Sequence, residues 1–75
     1  MRIGDIASPM RDRSMGRRLK AAMADKGVTV RRLSEETGLS SRTITKLRSG
    51  ESEGTFASWR AIARALRMPI EELVG

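Results

Sequence analysis

The run SRTITKLRS, from Ser41 to Ser49, places hydroxyls and cations at helical spacing. Stepping about 100° per residue sends Ile44 and Leu47 to one side of a helix, and Ser41, Arg42, Thr45 and Lys46 to the other. The second group is rich in hydrogen-bond donors and holds no carboxylate. Arginine can donate twice to the O6 and N7 edge of guanine, lysine reaches the same acceptors, and a threonine methyl can meet a thymine methyl. Such a face suits contact with the edges of bases. An ordinary solvated helix surface is the bland alternative.

Bond-making chemistry has little to stand on. The chain has no histidine and no cysteine, which excludes disulfides and the common zinc ligand sets. Glu35–Glu36 and Glu71–Glu72 are adjacent pairs, so each diverges on a helix and forms no convergent site. No enzymatic activity, cofactor, metal or small-molecule ligand is expected. The only aromatics are Phe56 and Trp59. Both fall in an apolar stripe, which argues against single-stranded nucleic acid, a target that usually needs exposed rings.

Charge points the same way as the helix face. The formal net charge is +6. Residues 1–50 carry 12 basic and 5 acidic side chains, a net of +7, whereas residues 51–75 carry 3 and 4, a net of −1. A polyanion would meet the first part; a basic surface kept for solubility is the other reading.

The elements that must position this face follow from spacing and punctuation. At 75 residues the chain is one small domain, and most large apolar side chains must be buried together. No apolar run approaches the roughly 18 residues of a membrane span. MRIGDIASPMRDRS lacks the apolar stretch of a signal peptide. A cytoplasmic protein without a membrane partner is expected. Residues 1–13 read as a flexible arm, with Ser8–Pro9 as an optional earlier helix start.

A first helix spans Ser14 to Lys26, with Met15, Leu19, Ala22 and Met23 on one face and Gly27 as its stop. Gly16 reads as a small cost tolerated near the helix start. Thr29 caps a second helix, Val30 to Thr37, that turns Leu33, Ser34 and Thr37 inward. Gly38 makes the following turn and Leu39 fills its inside. Ser40 caps the third helix, which ends at Gly50. After the polar loop Glu51 to Gly54, Thr55 caps a fourth helix marked by Phe56, Trp59, Ile62, Ala63 and Leu66. Pro69 starts a short fifth helix with Glu71 and Glu72 in its first turn, where negative charge suits the helix dipole. No strand is expected.

With LSEETGLSSRTITKLRSG in this register, followed by Trp59, Ile62, Ala63, Leu66 and the ending MPIEEL, the chain resembles the lambda-repressor and Cro-like (XRE-type) helix-turn-helix family over Met15 to Val74. The resemblance implies an all-α, compact five-helix lambda-repressor-like DNA-binding domain over residues 14–75. Its helix-turn-helix is formed by the second and third helices. The implied function is a sequence-specific double-stranded DNA-binding transcriptional regulator, a repressor of phage or mobile-element type, reading the major groove with the third helix. Ser41, Arg42, Thr45 and Lys46 become the base contacts. Thr29, Val30, Arg31, Arg48, Ser49 and Ser52 become phosphate contacts. A homodimer through Ile70, Leu73 and Val74 is implied as well, because such proteins usually pair half-sites.

Five positions depart from the family pattern, in three places. Val30 replaces the Gln that commonly opens the second helix, leaving the backbone amide or Thr29 to meet the phosphate. Met23 and Arg48 stand where the family often pairs Arg with Glu. Both partners have changed, so no buried charge is orphaned, and Met23 is expected to pack on the Arg48 stem. Glu51 and Glu53 occupy a loop that often carries Lys. These acids keep an alternative open: a protein-interaction module, such as an antitoxin or regulatory subunit, built on the same fold.

Overall fold

Hydroxyl side chains start three of the helices. In the computed structural model, which describes residues 14–74, the elements are α1 Ser14–Lys26, α2 Val30–Thr37, α3 Ser41–Ser49, α4 Phe56–Leu66 and α5 Glu71–Val74. The described residues contain no strand. The arm expected over residues 1–13, with its Ser8–Pro9 helix start, lies outside the described residues. Thr29 Oγ1 accepts from the Arg32 N–H at 3.1 Å, Ser40 Oγ from Thr43 N–H at 3.0 Å and Thr55 Oγ1 from Ser58 N–H at 3.1 Å. Each satisfies an amide that the first turn leaves without a carbonyl; losing such a cap costs about 1 kcal/mol. The bounds of the first four helices match those expected from the sequence, and α5 opens at Glu71 rather than at Pro69.

The apolar stripes of all five helices meet in one cluster: Leu19, Met23, Leu33, Ile44, Leu47, Trp59, Ile62, Ala63, Leu66 and Leu73. Six of these (Leu19, Leu33, Ile44, Leu47, Ile62 and Leu73) are essentially sealed from solvent. Each contributes roughly 1.5–3 kcal/mol by leaving water. No charged or polar residue is buried among the described residues. The exchange of the family's Arg–Glu pair for Met23 and Arg48 therefore leaves Met23 in the core and no ionised group in it.

Three expectations change. Phe56 does not join the α4 stripe; it is 64% exposed, with the Arg60 guanidinium 6.0 Å from its ring centre. It sits in the first turn, where the chain has not yet come over the core. Leu73 is not available to a dimer partner, because it is 0% exposed and belongs to the core. α5 lies against α1 and α4, and Leu73 is the residue it drives between them. Ile70 and Val74 are half-buried and pack at the margin. Gly16, finally, is buried and is required rather than tolerated. A Cβ there would lie 2.6 Å from the Arg48 carbonyl oxygen and 2.7 Å from that of Leu47. Only a glycine lets α1 approach the end of α3 so closely.

Candidate nucleic-acid interface

The third helix is held by α1 and α2. Ile44 and Leu47 fix its rotation by entering the core, which leaves Ser41, Arg42 and Thr45 exposed on its outer side and Lys46 half-buried at the margin of that side. The turn before it is tied by two hydroxyls of α2. Ser34 Oγ donates to the Leu39 carbonyl. Thr37 Oγ1 donates to the Leu33 carbonyl at 2.7 Å and accepts from Leu39 N–H at 3.1 Å. Gly38, at φ 81°, returns its N–H to the Ser34 carbonyl at 2.9 Å. Both backbone groups of Leu39 are thus satisfied by side chains of the preceding helix. The angle between α2 and α3 is set by these bonds as well as by packing. Ser34 and Thr37 were expected as inward-facing residues, but their bonds to the turn were not.

The exposed face is electrostatically open. Among the described residues two ion pairs form, Arg31–Glu35 at 3.6 Å and Arg32–Glu36 at 3.0 Å, both on α2. Neither Arg42 nor Lys46 has a carboxylate partner there. The four residues singled out as base contacts therefore share one helix surface, three fully presented and Lys46 at its edge.

The six phosphate candidates fall into two groups. At the start of α2, the Thr29 hydroxyl accepts as a cap and keeps its proton to donate outward. The amides of Val30 and Arg31 have no hydrogen-bond partner among the described residues. Arg31 shares its guanidinium with Glu35, but that pair is largely exposed and worth little, so a phosphate can displace it. At the end of α3, Arg48 is half-exposed and has no ion-pair partner among the described residues. The Ser49 hydroxyl is already engaged: it donates to the Lys46 carbonyl at 3.1 Å and accepts from Glu51 N–H at 3.3 Å. Ser52 accepts from Gly54 N–H at 3.2 Å, which leaves its proton free.

The loop beyond α3 is built against the core. Trp59 Nε1 donates to the Glu53 carbonyl at 2.8 Å, and Ser52 N–H donates to the Lys46 carbonyl at 3.3 Å. Its acids, Glu51 and Glu53, are exposed. One residue absent from the sequence-based set also borders this region. Lys20 of α1 lies with Thr45, Arg48 and Ser49 around a shallow depression. Its position depends on how α1 crosses α3, which local spacing does not encode.

No helix among the described residues is long and apolar enough to cross a membrane, and no described cluster of acidic side chains could hold a metal ion. No match was found among curated proteins or among solved structures. A family model does match: that of the Cro/C1-type HTH DNA-binding domain, over residues 18–75. That span covers α2, the bonded turn, the open face of α3 and the two helices behind them, and on it the chain belongs to the Cro/C1-type helix-turn-helix DNA-binding family.

Proposed function

We propose that the protein is a sequence-specific transcriptional repressor of the phage or mobile-element type, acting in the cytoplasm on double-stranded DNA through a single domain over residues 14–75. One observation carries this reading. The outer side of α3 presents Ser41, Arg42 and Thr45, with Lys46 at its margin, and pairs none of its cations with a carboxylate among the described residues. Those four side chains read bases. Thr29, the Val30 and Arg31 amides, Arg31, Arg48 and Ser52 set the register on the backbone, which is the division of labour such interfaces use. Ser49, whose proton is engaged, contributes as part of the loop scaffold. A homodimer that pairs half-sites would use Ile70 and Val74, with the exposed Phe56 on the depression that Val74 also borders, and not the buried Leu73.

Selection of bound sequences from a random duplex library tests the reading, with a palindromic consensus expected for the dimer. On a selected site Arg42→Ala should cost about 1–3 kcal/mol of binding and relax one base preference, while random-sequence affinity changes far less. Equal weakening on both would make Arg42 a backbone contact. The exposed Glu51 and Glu53 beside α3 favour a second reading, an antitoxin or regulatory subunit that uses the same fold to bind protein. Absence of binding to any duplex at low salt would establish that one instead.

A further inference from the structure

We infer that the groove between α2 and α4 is a docking surface for an acidic segment of another protein. The groove is a depression of about 490 Å³ lined by Glu36, Thr37, Ala61, Arg64, Ala65 and Arg67. Its α4 wall packs on α1, α2 and α5 rather than on α3, so it stands apart from the helix proposed to read bases. The surface does not rest on the DNA reading and would stand if α3 bound nothing.

Arg67 carries the argument. It closes α4 with φ at 57°, in the left-handed region, and its N–H donates to the Ala63 and Arg64 carbonyls. The other described residues with positive φ, Gly27, Gly38, Gly50 and Gly54, are all glycine. A side chain costs free energy in that conformation, and glycine avoids the cost. At the end of α4 the chain accepts the cost and sets a cation on the groove. Residues held in such conformations cluster at ligand clamps and other functional sites.

The groove is charged for an anion. Arg64 and Arg67 are exposed, and neither forms an ion pair with a described residue. The one carboxylate in the lining, Glu36, is held by Arg32 of α2 at 3.0 Å. Thr37 gives its proton to the Leu33 carbonyl and adds no donor. The C-terminal ends of α2 and α4 contribute about half a negative charge each, which two whole cations exceed. The lining also selects the kind of anion. Ala61 and Ala65 are half-buried, one turn apart, and give the groove an apolar floor of methyl groups. A polypeptide can pair carboxylates with the two arginine forks and lay its methylenes on that floor. A phosphate strand would satisfy the arginines alone. The competing structural role for Arg64 and Arg67 is to stabilise the end of α4 through its dipole.

The test is an NMR titration of the whole chain with poly-L-glutamate and, separately, with a random duplex, for the wild type, Arg67→Gly and the double variant Arg64→Gln with Arg67→Gln. Poly-L-glutamate should shift the amides of Ala61, Ala65 and Arg67 at about 0.15 M salt, where exposed charges are screened beyond roughly 8 Å. The double variant should bind it about tenfold more weakly, and Arg67→Gly about threefold more weakly, as expected for exposed ion pairs. Duplex affinity and its salt dependence should be unchanged in both variants. Arg67→Gly should keep or raise the unfolding midpoint, because it relieves the left-handed side chain. A lowered midpoint in Arg67→Gly would return Arg67 to the dipole role and overturn the docking surface. So would shifts absent from the groove, or equal binding of poly-L-glutamate by the double variant. A salt slope on the duplex that falls in the double variant would make the groove a DNA contact instead.

Discussion

The two ends of α3 are fastened differently. At its start, Ser34 and Thr37 reach forward from α2 and satisfy both backbone groups of Leu39, so the fastening is made by the neighbouring helix. At its end, Ser49 and Ser52 bond within their own segment, and the loop is then fixed from behind by Trp59. The first arrangement leaves Ser41 and Arg42 exposed. The second uses the Ser49 proton internally and presents two acids, Glu51 and Glu53. One end of the helix is thus prepared to face an anion. The other carries an acidic loop.

The sharpest way to break this comparison is at the α1 contact. Gly16→Ala should destabilise the fold by about 1–3 kcal/mol, since a methyl group has no room against two backbone carbonyls. A urea titration read by Trp59 fluorescence would measure it. A change within about 0.5 kcal/mol would mean that α1 can move away from α3 cheaply.

Gly16 also shows where sequence reading stops. The five helix ranges are legible because their starts and stops are local: Thr29, Ser40 and Thr55 cap them, and Gly38 and Gly50 end the helix-turn-helix pair. The exposed side of α3 that we propose reads bases is legible for the same reason, since Ile44 and Leu47 set the rotation of α3. Gly16, by contrast, is intelligible only from the carbonyls of a helix some thirty residues away, so in isolation it looks like a cost. Leu73 shares its spacing with Ile70 and Val74, and spacing does not say which of the three the core takes. Phe56 has the right phase for the α4 stripe but stands one turn before the stripe reaches the core. Ser49 fits a phosphate contact by position, and a local hydrogen bond claims its proton. Lys20 is an ordinary exposed lysine until α1 is laid across α3. What remained hidden was either a tertiary approach or a competition for a single hydrogen bond.

A smaller effect separates the two fastenings directly. Ser34→Ala removes the donor to the Leu39 carbonyl at a half-buried site and should cost about 1–2 kcal/mol. Ser49→Ala removes two exposed bonds that water can replace and should stay within about 0.5 kcal/mol. Thermal or urea unfolding of the two variants side by side decides it. Equal losses would show that the loop end of α3 is as tightly bound as the turn end.

The smallest effect concerns binding alone. Glu51 and Glu53 are exposed and neither forms an ion pair with a described residue, so replacing them removes charge without breaking a contact of their side chains. If the loop faces the backbone, Glu51→Gln with Glu53→Gln should strengthen binding to selected and random duplexes alike, by about threefold near 0.05 M salt, because repulsion acts over roughly a Debye length. The gain should fade as salt rises. No gain at low salt would place the two acids beyond reach of the DNA, and the protein would then be free to use them on a basic partner.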